Sequence, residues 1–438
     1  MPVARIESLA YGPHGVARVD GKVHFVRGVA PGDVVEIEVR EDRGSFAWAD
    51  VVRVVEPGPA RRDPPCEYLP RCGGCPWQQV VDDEQARAKE AIVRDLLARV
   101  GGLDSPEVQP ILRPAPAFGY RRRLSMRVEE RRVGFLEAAS HDLVPIERCL
   151  LAAPELDGAI VVAQAWVESL RTRLNRLEIA SVGPALDAPA GKPGAAFVDV
   201  PGPGRFVLVG QADGAYAAED DEASRRLLAS EPRVAGVVIH GRGFRRVAGD
   251  DRVRAPLGPR DVIELRAGDF TQVGDAGNAA LVDCVVEAAA ARPGDVVADL
   301  YAGAGNLAIP LARRGARVFA VERSRSSVAA GRANASRLGL ADLSFEDGDV
   351  PRVLDDWITR GRSLDAAVLD PPRSGAADAV SRLLRIAPRT IVYVSCDPST
   401  LARDLRALSS DYRMIAAQPL EFFPQTHHVE TVARLVRR

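Results

Sequence analysis

A glycine-rich turn occupies residues 299–306, with the sequence Asp299-Leu300-Tyr301-Ala302-Gly303-Ala304-Gly305-Asn306. It follows a short apolar run, Val296 to Leu300, and precedes a stretch with helical spacing, Leu307 to Arg313. The alternation continues with strand-like runs at Arg317 to Glu322, Ala366 to Leu369, Thr390 to Ser395 and Val429 to Val436, and a helical stretch at Ser326 to Leu338. Strands that alternate with helices predict a doubly wound, Rossmann-like α/β sheet over residues 263–438.

The turn also has the composition of a cofactor-binding loop, because glycines let the backbone approach a ligand at the carboxyl edge of a sheet. Glu322 ends the next strand, 19 residues after Gly303, where a carboxylate can accept both hydroxyls of a ribose. Asp349 follows the strand after that and can meet an adenine. The pattern G-x-G-N alone fits either an adenosine cofactor or a tight turn. Combined with the two acids, it favours S-adenosylmethionine over NAD.

The remainder of the chain predicts three further units. Residues 1–57 contain short alternating runs, Val34 to Val39 and Phe46 to Val55, between glycines and prolines, which is typical of a small β-barrel. Residues 58–102 contain a cysteine cluster followed by a helix. Asp82 and Gln85 are predicted to form a capping box at the start of that helix. Residues 103–262 predict a mixed α+β middle domain, with strands at 206–209 and 234–239 and helices near 155–176 and 218–230.

Composition sets the cellular context. The 438 residues include 46% hydrophobic and 27% charged residues, contain no apolar run long enough to cross a membrane, and begin without the layout of a signal peptide. We therefore expect a cytoplasmic protein with no membrane association, and we also expect a monomer. The net charge of −2 argues against indiscriminate nucleic-acid binding, although it permits a local basic face.

Four of the six cysteines predict a metal centre, since disulfides are rare in a reducing compartment. Cys66, Cys72 and Cys75 are spaced as in a ligand loop, and Cys149 is the best candidate for a fourth ligand. The spacing fits structural zinc and a [4Fe–4S] cluster equally well, and incidental thiols are the third possibility.

Two further motifs follow strands of the predicted sheet. Asp370-Pro371-Pro372-Arg373 has paired prolines that could hold a pocket wall rigid, or could simply end a strand. Cys396 lies between a strand and a helix, where a helix N-terminus can lower the pKa of a thiol. The alternative for Cys396 is a buried structural cysteine, which is how we interpret Cys284 on its apolar helix face.

In order and spacing, these motifs resemble those of the RNA uridine C5-methyltransferases. The resemblance rests on Phe270-Thr271-Gln272, the 299–303 turn, Asp370 to Arg373, Ser395 to Pro398 and His428 to Val432. It covers nearly the whole chain and is weakest from about residue 150 to 260. Within this family the layout is similar to that of the branch acting on 23S ribosomal RNA, which has an N-terminal TRAM domain and an iron–sulfur cluster.

The resemblance implies an RNA-binding TRAM domain of OB-like fold over residues 1–57, an RNA-binding middle domain over residues 103–262, a C-terminal class I methyltransferase domain and a role for each motif. Cys396 would be the nucleophile that attacks carbon 6 of the uracil, and Glu430 the base that removes the proton from carbon 5. The cofactor site would be formed by Gln272, Tyr301, Asn306, Glu322, Asp349 and Asp370. The cysteine cluster would hold [4Fe–4S]. This chain departs from the family pattern at Gly274, Asp397 and Ala302, and Gly274 could loosen the loop beside the cofactor.

Structured RNA is the expected partner, 23S ribosomal RNA first and transfer RNA as the alternative. Phe118, Tyr120, Arg121 to Arg123 and Arg127 combine aromatic and cationic groups that suit RNA, or form a solvated arginine run. Two rival functions remain. A non-catalytic RNA-binding factor would not need both Cys396 and Glu430, and an amino-group methyltransferase would need no thiol and would carry an aromatic residue at the position of Arg373.

Overall fold

The computed structural model describes residues 1–184, 204–258 and 261–438. Two parts of the predicted middle domain, residues 185–203 and 259–260, lie outside them. Within the described residues, no helix is both long and apolar enough to cross a membrane.

The N-terminal residues form a closed five-stranded barrel, with strand order β1-β2-β3-β5-β4. Its strands are β1 (Val3–Leu9), β2 (His14–Val19), β3 (Lys22–Arg27), β4 (Val34–Asp42) and β5 (Phe46–Glu56). Alternate residues point inward, so that small and branched side chains such as Ala17, Val26 and Ile37 fill the interior. The predicted barrel is therefore confirmed, including β1 to β3, for which the sequence had indicated only turns.

A single long helix, α1 (Asp82–Arg99), follows the cysteine segment. The predicted capping box is wrong, because the helix is preceded by Val81 and has no side-chain cap. The Gln85 amide instead donates to the carbonyl oxygens of Trp77 and Val80, at 3.1 and 2.8 Å. This helix packs against the last domain and also covers Trp77, which belongs to a small core shared with Leu9 and Ala30 of the barrel.

The middle of the chain is an α+β unit built on a seven-stranded sheet of order β12-β11-β10-β9-β6-β7-β8. Its elements are β6 (Arg123–Glu129), β7 (Arg132–Leu136), β8 (Leu143–Pro145), α2 (Ala159–Ser169), β9 (Leu174–Ser181), β10 (Phe206–Ala212), α3 (Asp220–Ser230), β11 (Val234–Gly241) and β12 (Phe244–Gly249). The helix predicted near 155–176 is too long. Leu170 adopts an extended conformation that ends α2, and β9 begins four residues later.

A hairpin, β13 (Arg252–Leu257) and β14 (Asp261–Arg266), connects the middle sheet to the last domain. It crosses the predicted boundary at 262/263. The exact division of the chain into domains stays a prediction.

The C-terminal domain contains a seven-stranded sheet of order β17-β16-β15-β18-β19-β21-β20, with hydrophobic cores on both faces. Its elements are α4 (Asp275–Ala289), β15 (Val296–Leu300), α5 (Ala308–Arg313), β16 (Arg317–Glu322), α6 (Arg325–Arg337), β17 (Leu343–Asp347), α7 (Val350–Thr359), β18 (Ala366–Leu369), α8 (Ala377–Ile386), β19 (Thr390–Ser395), α9 (Pro398–Leu408), β20 (Tyr412–Leu420) and β21 (Glu430–Arg437). From β15 the chain first proceeds to one side, to β16, and later returns to the other side at β18. The switch point of the sheet, where α/β proteins bind ligands, therefore lies at the carboxyl ends of the neighbouring strands β15 and β18. The predicted doubly wound fold is confirmed.

Candidate active site

The glycine-rich turn leaves β15 at this switch point and borders a cavity. Tyr301, Gly303 and Gly305 all have positive φ, of 67°, 56° and 99°, so the turn brings its backbone close to the cavity. Four predicted cofactor residues line the cavity, namely Gln272, Tyr301, Asn306 and Asp370. The Gln272 amide reaches Oδ2 of Asp370 at 3.5 Å.

The other two predicted cofactor residues, Glu322 and Asp349, flank the same turn without lining that cavity. Glu322 accepts the backbone N–H of Gly303 at 3.1 Å and that of Ser324 at 2.6 Å. Asp349 precedes α7, and after burial its charge is the next cause that raises the pKa of Tyr301, to about 12. The structure therefore brings all six residues to one edge of the sheet.

Two neighbours of the cavity, Asp299 and Asn278, were given no role from the sequence. Asp299 is fully buried, and neither of its carboxylate oxygens has a hydrogen-bond partner among the described residues. Burial, followed by the charge of Asp370, raises its pKa well above the ordinary value. Asn278 and Asn306 exchange amide hydrogen bonds of 2.8 and 2.9 Å that tie the turn to α4. The unpartnered carboxyl of Asp299 beside this turn leaves a buried acceptor for a ligand that carries hydrogen-bond donors or a positive charge, as S-adenosylmethionine does.

Gly274 does not loosen this region, contrary to the sequence expectation. It adopts an extended φ of −154° before α4, and an added Cβ would lie 2.6 Å from the carbonyl oxygen of Tyr120. The glycine therefore permits close packing between the middle unit and the last domain.

Cys396 and Glu430 lie at the ends of adjacent strands. Ser395 pairs with Thr431 in the antiparallel ladder of β19 and β21, which brings the two side chains to the same end of the sheet. The Glu430 side chain is buried, with 5% of the residue exposed. Burial and the nearby Asp370 raise its pKa well above the ordinary value, while Arg373 opposes that shift. A carboxylate whose pKa is raised in this way is a stronger base than an exposed glutamate and is suited to accept a proton.

The thiol of Cys396 behaves differently from the sequence expectation. Burial, followed by the charge of Glu430, raises the pKa of this thiol to about 11. The N-terminus of α9, which was expected to lower the pKa, therefore does not determine it. The positive charge of Arg373 lowers the pKa of this thiol and opposes those two effects. The Arg373 guanidinium also lies 3.2 Å from Nε2 of His428, two residues before Glu430.

A residue of the N-terminal barrel reaches the same place. The Tyr11 hydroxyl donates to the carbonyl oxygen of Cys396 at 3.3 Å, and its ring meets His427 edge to face, with centroids 5.8 Å apart. No sequence signal had indicated this contact.

The predicted RNA-contact run is largely turned inward. Tyr120 is buried, and the Arg122 side chain is only 13% exposed because it forms ion pairs with Asp275 and Glu155. Arg123 lies near Glu178. These arginines form ion pairs within the folded protein, and Arg127 is the one member of the run that is exposed.

The four predicted metal ligands are neighbours. Burial raises the pKa of Cys72, and the charges of Cys149 and Cys66 contribute to that shift. Cys149 and Cys72 likewise act on Cys75. Within the described part of the chain, however, no three His, Cys, Asp or Glu side chains are grouped so as to hold a single metal ion.

A sheet with this strand order, a glycine turn at its switch point and a buried acid beside that turn define a class I S-adenosylmethionine-dependent methyltransferase. The comparisons agree and specify the RNA-modifying branch. A sequence profile described as tRNA (Uracil-5-)-methyltransferase matches residues 255–346 and 353–438, and a TRAM domain profile matches residues 4–52. The chain is 34% identical over its full length, and over the full length of the relative, to a 23S rRNA (uracil(1939)-C(5))-methyltransferase of Thiobacillus denitrificans.

A second relative with the same description, from Alkalilimnicola ehrlichii, is 33% identical and covers 98% of this chain and 95% of its own length. A solved structure, the Pyrococcus abyssi tRNA (uracil-54, C5)-methyltransferase in complex with S-adenosyl-L-homocysteine, superposes with a TM-score of 0.72 at 23% identity. It covers 99% of this chain and 100% of its own, and shows the same fold. The chain belongs to the RNA (uracil-5-)-methyltransferase family and is an RNA methyltransferase.

Proposed function

We propose that this enzyme methylates carbon 5 of a uridine in 23S ribosomal RNA through a covalent bond between Cys396 and carbon 6. The observation that carries the proposal is the convergence of Cys396, Glu430, Asp370 and Arg373 beside the cavity of the glycine turn. Neither a non-catalytic RNA-binding factor nor an amino-group methyltransferase needs this combination.

In the proposed mechanism, Cys396 prepares the ring for alkylation. Its thiolate bonds to carbon 6, and the electrons of the 5,6 double bond move toward the carbonyl oxygen at carbon 4, which makes carbon 5 nucleophilic. Bound S-adenosylmethionine supplies the methyl group that carbon 5 accepts. The positive charge of Arg373 lowers the pKa of the Cys396 thiol and so favours the thiolate.

Glu430 then completes the cycle. It accepts the proton on carbon 5, the 5,6 double bond re-forms, and the bond from carbon 6 to sulfur breaks to return the thiolate. A buried carboxyl with a raised pKa is suited to this proton transfer. The residues proposed to hold the cofactor are Gln272, Tyr301, Asn306, Glu322, Asp349 and Asp370, with Asp299 as an addition from the structure.

The test uses RNA in which the target uridine is replaced by 5-fluorouridine. Because fluorine cannot leave as a cation, the adduct should persist and appear as a slow-migrating protein band on a denaturing gel. Cys396→Ala should abolish the band. Cys284→Ala, a half-buried thiol on α4, should retain it. Normal methylation by Cys396→Ala would rule the mechanism out.

The choice of 23S ribosomal RNA rests on the full-length relatives, whose described substrate is that RNA. Transfer RNA is the second candidate, since the similar Pyrococcus enzyme is described as acting on it. Mapping 5-methyluridine in both RNAs from a deletion strain separates the two. Loss from transfer RNA alone would reverse the assignment.

We further propose that Cys66, Cys72, Cys75 and Cys149 hold a [4Fe–4S] cluster. Three of these thiols, Cys66, Cys72 and Cys75, line one cavity, and four neighbouring thiols are a donor set for iron–sulfur clusters or zinc. A [4Fe–4S] cluster is larger than a single metal ion, so its four ligands lie further apart than the ligands of one ion do. This agrees with the finding that the described residues contain no group arranged to hold a single ion. Its role would be structural, tying residue 149 to residues 66–75. Anaerobically purified protein should be brown and contain iron and acid-labile sulfide, whereas colourless protein with stoichiometric zinc would contradict the assignment.

A further inference from the structure

Four aromatic rings cluster on the outer face of the barrel. Trp48 is the centre of this aromatic strip, which consists of His14, Phe25, Phe46 and Trp48. Its ring centroid lies 4.5 Å from His14, 4.8 Å from Phe25 and 5.8 Å from Phe46. The four rings are half-buried, chiefly by one another, and alternate along their strands with inward-facing residues such as Val26 and Ala49.

The strip contributes nothing evident to the interior of the barrel. None of its rings belongs to a hydrophobic core formed by the described residues. Large rings grouped outside a core are costly to expose, and such patches mark binding sites. His14 adds to the apolar character, because burial and the neighbouring Arg27 lower its pKa to about 4 and keep the ring neutral.

The strip lies close to the predicted active site at its His14 end. The His427 side chain is near enough to His14 for its charge to act on that ring. Arg27 and His427 also line the cavity that contains Cys66, Cys72 and Cys75. Tyr11 touches His427 and donates to the carbonyl of Cys396. A ligand that leaves the active site past Tyr11 and His427 therefore meets His14, the first ring of the strip.

The net charge of the barrel does not favour an anionic ligand. Residues 1–57 contain seven Lys and Arg against nine Asp and Glu, so the barrel as a whole repels a polyanion. Arg27 is the cation beside the strip. Its Nε donates to Nε2 of His14 at 3.1 Å, and it forms no ion pair within residues 1–184, 204–258 and 261–438, which leaves the guanidinium available to a phosphate.

We infer that the aromatic strip is a stacking platform for the single-stranded nucleotides next to the target uridine. This inference rests on the proposed function. A target base must leave its stack to reach a nucleophile, and its neighbours then lose their stacking partners. Aromatic side chains replace those partners whatever the base, with affinity that depends less on salt than phosphate contacts do.

The test measures binding of a fluorescein-labelled oligoadenylate of about twelve nucleotides to the full-length protein, over a range of salt concentrations. Trp48→Ala should raise the Kd about tenfold, with an unchanged slope of log Kd against log salt. Arg27→Gln should instead reduce that slope by about one. The matched control is Val52→Ala on the same strand, an exposed side chain (46%) that is not part of the strip and should bind as the wild type does.

Two more variants separate ring loss from misfolding. Trp48→Phe keeps a ring and should retain binding, whereas Phe25→Leu keeps apolar volume without a ring and should weaken it. Wild-type Kd for both Trp48→Ala and Phe25→Leu would overturn the inference, as would a loss of binding that disappears at high salt. Because the probe contains no uridine and no cofactor is added, the result is independent of turnover. Failure of the Cys396 adduct would therefore leave this measurement intact.

Discussion

At the scale of single residues, the protonation of Cys396 depends on opposing neighbours. Burial and Glu430 hold its pKa at about 11, and Arg373 lowers it. Only the thiolate reacts with alkylating agents. The rate of Cys396 alkylation by iodoacetamide, followed by mass spectrometry, should therefore rise with pH and level off near pH 11 in the free enzyme.

Arg373→Ala removes the stabilising cation, so the inflection should move to higher pH and the rate at pH 8 should fall. Arg382→Ala is the control, because this arginine pairs with Asp355 on the surface away from the thiol. An inflection that stayed in place or moved to lower pH in Arg373→Ala would show that Arg373 does not favour the thiolate.

Glu430 determines how the proposed adduct ends. Glu430→Gln keeps the shape of the side chain but cannot accept the carbon-5 proton, so bond formation and methylation can occur while release of the cysteine fails. Turnover should drop by about a hundredfold or more. A covalent complex with ordinary uridine RNA should then accumulate on denaturing gels. Adding Cys396→Ala to this variant should abolish the complex, and free methylated RNA at the wild-type rate would exclude Glu430 as the base.

At the scale of elements, the glycine turn depends on two positions that differ in kind. Both Gly303 and Gly305 have positive φ, but an added Cβ at Gly303 meets nothing within 4 Å, whereas at Gly305 it would lie 2.9 Å from Phe345 Cζ. Gly303→Ala should cost only backbone strain, about 1 kcal/mol. Gly305→Ala should also displace the turn and weaken S-adenosylmethionine binding severely, as measured by calorimetry. Equal affinities of the two variants would contradict this reading of the turn.

The elements that sequence predicted well are those with the most uniform surroundings. Strands β15, β16, β18 and β19 begin and end where the apolar runs do, because parallel strands buried on both faces consist of continuous apolar residues. In strands β1 to β3 inward-facing and outward-facing residues alternate, and the aromatic rings of β2 and β3 point outward. No continuous apolar run marks these strands, so the sequence did not predict their positions. The run at Arg121 to Arg123 was predicted to contact RNA because no acidic partner lies near it in the sequence. Arg122 in fact pairs with Asp275, which lies 153 residues away along the chain. Local pattern cannot reveal such partners.

At the scale of the whole molecule, the units share interior. Leu9 and Ala30 of the barrel pack in one core with Trp77, Val80 and residues of α1. Tyr11 then reaches Cys396, which is 385 residues later in the sequence. Motifs identified the six predicted cofactor residues and the two predicted catalytic residues. The contact between the barrel and Cys396 could be seen only in the folded protein, since no motif encodes contacts between distant units.

A buried ion pair fastens α1 to the last domain. The Lys89 ammonium, fully buried, bonds Glu421 and also donates to the carbonyl of Phe423 at 3.0 Å. Lys89→Met would leave the Glu421 carboxylate buried without its cation, and removal of one partner of such a pair costs about 3–5 kcal/mol. The urea midpoint of the full-length protein should fall accordingly. The exposed pair of Arg94 and Glu90 on the same helix provides the control, since Arg94→Ala should cost less than about 1 kcal/mol.

Replacing both charges, as Lys89→Met with Glu421→Leu, should recover part of the loss, because the penalty comes from the unpaired charge and not from the absence of the pair. If the double variant is as unstable as Lys89→Met alone, the ion pair itself holds α1 and the last domain together.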